Sequence, residues 1–181
     1  MSYNSSAEKD IKINLEKILI SKTQIEKRLE DLGSEISNDY EGKELYMVGV
    51  LNGAFIFLAD LARQLKISCK ICFLQASSYN NQKVSSGKVK LMHNLDLRDK
   101  EVLVVEDIFD TGLTLKCILE DLQLQRPKSL EVCTLLSKKI PNKFPINVKY
   151  IGFEIEDKFV VGYGLDYAEK YREIPFIACL N

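Results

Sequence analysis

The sequence predicts an α/β fold, a mainly parallel, twisted sheet flanked by helices. Two observations carry this. The apolar runs "LYMVGVL", "CKICFLQASSY", "EVLVVED", "SLEVCTLLSK" and "KYIGFEI" have strand length, and helical apolar spacing stands between several of them. A chain of 181 residues, 46% of them apolar, can bury one substantial core and is short for two, so residues 1–181 are read as one domain.

The opening "MSYNSSAEKDIKINLEKILI" lacks the apolar stretch and small-residue cleavage site of a signal peptide, and no apolar run approaches the roughly 20 residues of a membrane span. A cytoplasmic protein is expected. In "SKTQIEKRLEDLGSEISNDY", Ser21 and Gln24 form a capping-box pattern, and Ile25, Leu29, Leu32 and Ile36 share one helical face, with a relaxed turn expected at Gly33. The strand "LYMVGVL" (45–51) then meets a tight turn at Asn52-Gly53 and a helix over "AFIFLADLARQL".

The strand "CKICFLQASSY" runs into the polar "NNQKVSSGK", which has no apolar period and reads as a mobile loop. After "EVLVVED", Leu115, Ile118, Leu119 and Leu122 mark a helix that stops before Pro127. The last two strands of this series are separated by a loop carrying Pro141 and Pro145. The stretch "DKFVVGYGLDYAEKYREIPFIACL" breaks the rhythm with glycines, aromatics and a short terminal strand, and is expected to cap the sheet.

A formal charge of −1, with 28% charged residues, leaves no overall basic field for nucleic acid or an anionic membrane surface, so neither is expected as a partner. Cys69, Cys72, Cys117, Cys133 and Cys179 are an odd number spread through apolar segments, which reads as reduced thiols. The CxxC at Cys69–Cys72 lies in a strand pattern that sends its sulfurs to opposite faces. His93 is the only histidine, which excludes multi-histidine metal sites and leaves acid–base chemistry to carboxylates and lysines.

The stretch "VVEDIFDTGLTL", residues 104–115, concentrates the chemistry. In a parallel sheet, ligands sit beyond the carboxyl ends of strands, where the next turn offers N–H groups and a helix N-terminus. A turn through Asp110, Thr111, Gly112, Leu113 and Thr114 suits a phosphate, with Gly112 permitting positive φ or close approach. Glu106 and Asp107, one step earlier, accept hydrogen bonds only, which suits sugar hydroxyls or a divalent cation. There is no Walker A loop and no GxGxxG.

This stretch closely resembles the phosphoribosyl pyrophosphate (PRPP) motif of type I phosphoribosyltransferases, two acids after an apolar strand followed by a D-T-G-x-T loop. The rest resembles the hypoxanthine-guanine branch: "VGVLNGAFIFLADLAR" its pyrophosphate loop, "SSYNNQKVSSGKVKL" its flexible loop, and "LLSKKIP" with "GFEIEDKFVVGYGLDYAEKYR" its purine and pyrophosphate elements. The resemblance implies the type I fold with a small hood from about 155–181, joined by the N-terminal segment. It implies transfer of phosphoribosyl from PRPP to hypoxanthine or guanine, with release of pyrophosphate. A xanthine-preferring transferase and a non-catalytic PRPP or nucleotide sensor stay open as alternatives.

Residue by residue, the resemblance implies that Glu106 and Asp107 hold the ribose hydroxyls and Asp110 to Thr114 the 5′-phosphate. Asp110 would face the purine N7 as proton acceptor, Lys138 would donate to O6, Phe159 would stack on the ring, and the backbone at Val160 would read its edge. Arg172 and the backbone of Leu51, Asn52 and Gly53 would take pyrophosphate, with a cis peptide expected at Leu51–Asn52. Asp166, with Glu106 and Asp107, would hold Mg²⁺. Ser78 and Tyr79 would close over the site from a lid at 77–91. Asn52 replaces a lysine found in some relatives, relatives also vary at Leu113, and Phe109 is expected in the purine floor. A homodimer or homotetramer is implied.

Overall fold

In the computed structural model of the protein, residues 18–78, 89–141 and 143–180 are described. The elements are β1 (Ile18–Ile20), α1 (Lys22–Asp39), β2 (Leu45–Leu51), α2 (Phe55–Gln64), β3 (Cys69–Ser78), β4 (Val89–Met92), β5 (Glu101–Phe109), α3 (Leu113–Leu124), β6 (Ser129–Lys138), β7 (Tyr150–Ile155), β8 (Val160–Val161) and β9 (Ile177–Cys179). Six strands form one sheet in the order β4-β3-β2-β5-β6-β7, parallel except where β4 runs against β3. The carboxyl ends of β2, β5 and β6 therefore share one edge.

Helices cover both faces, as the continuous apolar strands require. On one face Leu29 and Leu32 of α1 and Phe57 and Leu61 of α2 belong to a core with Met47, Leu103 and Val105. On the other, Leu115, Ile118 and Leu122 of α3 join Val48, Val104 and Val132. Cys69 borders the first core and Cys72 the second, so their sulfurs do face opposite ways.

The α1 capping box is complete, with the Gln24 N–H donating to Ser21 Oγ at 3.3 Å and the Ser21 N–H to Gln24 Oε1 at 2.9 Å. The relaxed turn expected at Gly33 is absent, and α1 runs through it unbroken. A Cβ at Gly33 would lie 2.5 Å from Gln64 Cβ and 2.8 Å from the Gln64 carbonyl oxygen, so the glycine serves the close approach of α1 to the end of α2.

Three strands escaped the sequence pattern, the two-residue β8 among them. β4 takes Val89 to Leu91 out of the expected 77–91 loop, pairing Ser77 with Lys90 and Ala76 with Leu91. Here Leu91 borders the second core while Lys90 is exposed. β1 joins a separate three-stranded sheet, β1-β9-β8, with both neighbours antiparallel to β9. Its Ile20, Val160 and Ile177 belong to the same core as Met47 and Phe57, which ties the small sheet to the large one. Among the described residues, no helix is long and apolar enough to cross a membrane.

Candidate active site

β5 extends two residues beyond the "EVLVVED" run, and its side-chain alternation changes phase there. Leu103, Val105 and Ile108 border one core, while Val102, Val104 and Phe109 border the other. Glu106 and Asp107 occupy the phase change, which brings two consecutive carboxylates within each other's field. Burial and the neighbouring Asp107 push the Glu106 carboxyl well above its ordinary range. Burial also raises Asp107, against the opposing effects of Glu106, the Ile108 N–H and the Arg172 charge. The Ile108 N–H donates to Asp107 Oδ1 at 2.8 Å. Glu106, buried, and Asp107, half-buried, are hard oxygen donors of the kind that suits a divalent cation.

Beyond β5 the chain turns through Asp110–Gly112 into α3. Gly112 has φ 89°, a left-handed conformation open to glycine, and supplies no side-chain cap to the helix. Apart from the Leu113 N–H, which reaches Thr111 Oγ1 at 3.5 Å, the first-turn N–H groups of α3 are thus available to an anion, in contrast to the capped start of α1. Phe144 N–H donates to the Thr111 carbonyl at 2.9 Å and holds this turn from behind. At the adjacent end of β6, Lys138 Nζ lies 3.2 Å from Asp110 Oδ2 and 3.1 Å from Asp157 Oδ1, with its side chain only 12% exposed. Burial works against the ammonium, but Asp157 and Asp110 together outweigh it and hold Lys138 above the ordinary lysine value.

At the end of β2 the Leu51–Asn52 peptide is cis, as the family resemblance implied. A Cβ on Gly53 would fall inside the Asp107 carboxylate, and one on Gly164 inside the Gly53 carbonyl. Three chain segments therefore meet face to face through two glycines. Arg172 secures the third, donating from Nη1 to the Gly164 carbonyl at 2.8 Å and lying 2.9 Å from Asp166 and 3.4 Å from Glu169. Tyr163, Ala168, Glu169 and Tyr171, with Gly162 and Gly164, all have positive φ, a concentration of backbone strain typical of ligand-binding segments.

Phe159 is 53% exposed, which a core role would not allow, and meets Tyr167 edge-on with ring centroids 5.8 Å apart. Val160, next to it, is fixed by pairing with Cys179 in β9. Phe109 differs from expectation: at 6% exposure it lies against Gly112 of the turn before α3 and offers no open floor to a ligand.

The phosphoribosyl transferase domain family matches residues 17–168. Over 173 residues the chain is 42% identical to the hypoxanthine-guanine phosphoribosyltransferase of Bacillus subtilis (strain 168), covering 94% of this chain and 96% of that one. The chain belongs to the hypoxanthine-guanine phosphoribosyltransferase family. It is also 43% identical to the hypoxanthine phosphoribosyltransferase of Escherichia coli (strain K12), over 88% of this chain and 92% of that one. The crystal structure of a Staphylococcus aureus hypoxanthine phosphoribosyltransferase matches with a TM-score of 0.90 at 40% identity, covering 99% of this chain and 97% of that one. The Trypanosoma cruzi enzyme in complex with its product IMP matches with a TM-score of 0.85 at 35% identity, over 92% and 94% of the two chains.

In this phosphoribosyltransferase the strand ends bring Asp110 to Lys138, and Gly53 to Asp107 and Gly164. Tyr79 and the Ser78 side chain lie outside the described residues, as does most of the expected lid. Asp166 pairs with Arg172, and among the described residues no three His, Cys, Asp or Glu side chains form a ready-made metal cage. Asp157 was missed by sequence reasoning because nothing local marks the partner of a lysine 19 residues away. His93 pairs with Asp121 of α3 at 2.7 Å and touches none of these groups.

Proposed function

We propose that the protein transfers the 5-phosphoribosyl group of PRPP to N9 of hypoxanthine or guanine, giving IMP or GMP and pyrophosphate. The observation that carries this is the Lys138–Asp110 pair beside the uncapped start of α3: a donor and an acceptor for a 6-oxopurine, next to a phosphate turn. Phosphate in that turn fixes one end of PRPP, and Glu106 and Asp107 take the ribose hydroxyls. Lys138 exchanges a carboxylate partner for the purine O6, which selects against the amino group of adenine. Phe159 stacks on the ring and the Val160 backbone reads its edge.

As the C1–O bond breaks, its electron pair leaves with pyrophosphate. The purine N9 attacks C1, and Asp110 accepts the proton lost at N7. Arg172 exchanges Asp166 or Glu169 for pyrophosphate, a planar fork suited to that group, and the backbone at Asn52 and Gly53 adds N–H donors. Glu106, Asp107 and Asp166 would hold Mg²⁺, which supplies charge neutralisation to the leaving group. Ser78 and Tyr79 exclude water. Five free cysteines support a reducing, cytoplasmic setting. Exposed Ile71 and Phe73 on β3 support a homodimer or homotetramer.

Pyrophosphate release from PRPP with hypoxanthine, guanine, xanthine, adenine and uracil, with and without Mg²⁺, tests the reading. Turnover is expected with 6-oxopurines alone. In the same assay Asp110→Asn should lower kcat by about 10²-fold while sparing PRPP binding, and Lys138→Ala should lose discrimination against adenine. Binding of PRPP without turnover of any base would reduce the protein to a sensor.

A further inference from the structure

Lys143 lies beside this site and has no part in the chemistry above. Its Nζ donates to the Lys138 carbonyl at 2.8 Å and to Ser137 Oγ at 3.0 Å, and stands 3.7 Å from the centroid of the Phe109 ring. All three partners are neutral, unlike those of a surface ion pair. Phe109 and Ser137 face each other across β5 and β6, and each immediately precedes a residue assigned to the base, Asp110 and Lys138. A cation within about 6 Å of an aromatic centroid is attracted to its face, more strongly when partly desolvated. Burial holds the Lys143 ammonium below the ordinary lysine value, against Asp110 and Glu154. The next residue, Phe144, bonds the Thr111 carbonyl of the phosphate turn.

We propose that Lys143 is a positioning residue for base recognition, whose ammonium ties the carboxyl ends of β5 and β6 together and so sets the spacing of Asp110 and Lys138 around a 6-oxopurine. The proposal rests on the function proposed above for that pair. Lys143 touches no substrate. Its effect passes through the Lys138 backbone and the Phe109 ring, so it should be felt at the base and little at PRPP.

The test is steady-state kinetics of the full chain with Lys143→Met, which keeps the aliphatic stem, and Lys143→Arg, which keeps the charge. Lys143→Met should raise KM for hypoxanthine and guanine about tenfold, the scale of one charge-assisted hydrogen bond, with KM for PRPP within about twofold. Lys143→Arg should recover most of the loss. Should Lys143→Met not fold, Lys143→Gln should give the same rise in purine KM. An unmoved purine KM with an active wild type overturns the role of Lys143 alone. Equal losses for purine and PRPP, with a lower Tm and no rescue by arginine, overturn it too. A wild type that turns over no 6-oxopurine overturns the functional reading, and this role with it.

Discussion

Glu106 holds its proton more tightly in the folded chain than in the unfolded one, because burial and Asp107 both oppose its ionisation. Between its ordinary value of 4.5 and its raised folded value, the native state binds more protons than the unfolded state, so stability falls as pH rises. Glu106→Gln removes that penalty. In thermal melts without ligand from about pH 5 to 8, the wild-type Tm should decline more steeply than the variant's. Near neutrality the variant should be a few degrees more stable, as about 1 kcal/mol moves a domain of this size by about 2–4 °C. It should also bind PRPP poorly, since an amide in place of the carboxylate loses the acceptor-only character suited to ribose hydroxyls. Parallel melting curves would remove Glu106 as a source of stored strain.

Gly33 is a test at the level of the helix. Propensity alone credits Gly33→Ala with about 1 kcal/mol of added stability, yet a Cβ there meets Gln64, including its backbone carbonyl. Packing should win, so the urea midpoint should fall; a higher midpoint would mean α1 and α2 can separate at little cost. The same competition explains which elements were legible in the sequence. α1 announces itself through Ser21, Gln24 and an apolar stripe, and β2, β5 and β6 through unbroken apolar runs. β1 and β4 are too short for a period, and their partners lie far along the chain or beyond a polar loop. The motif 104–115 exposed the acids and the glycine turn before α3. Asp157, Lys143 and Gly164 act through contacts that only the fold creates, and lysine, aspartate and glycine at those positions are locally unremarked. Phe109 shows the opposite error, an aromatic next to a site that serves as backing rather than surface.

Across the whole molecule, the two sheets divide the labour. The large sheet carries Glu106, Asp107, the turn at Asp110–Gly112 and Lys138, while Phe159 and Val160 depend on the small one, where Ala178 pairs with both Ile18 and Val161. Ala178→Pro deletes a ladder donor in the central strand of that small sheet. With each substrate varied in turn, its KM for purine should rise far more than its KM for PRPP, and equal effects would deny the division. β9, which joins β1 to β8, carries a further consequence. Ile18 and Ala178 are about 160 residues apart along the chain, and a chain emerges from the ribosome N-terminus first. β1 is made early and has no partner until β9 appears, whereas the six strands of the large sheet are all made by Ile155. During synthesis the strand ends around Glu106, Asp107 and Lys138 can thus take shape while the segment of Phe159 and Val160 still lacks its last strand, so under the proposed function a stalled chain would lack the means to grip a base.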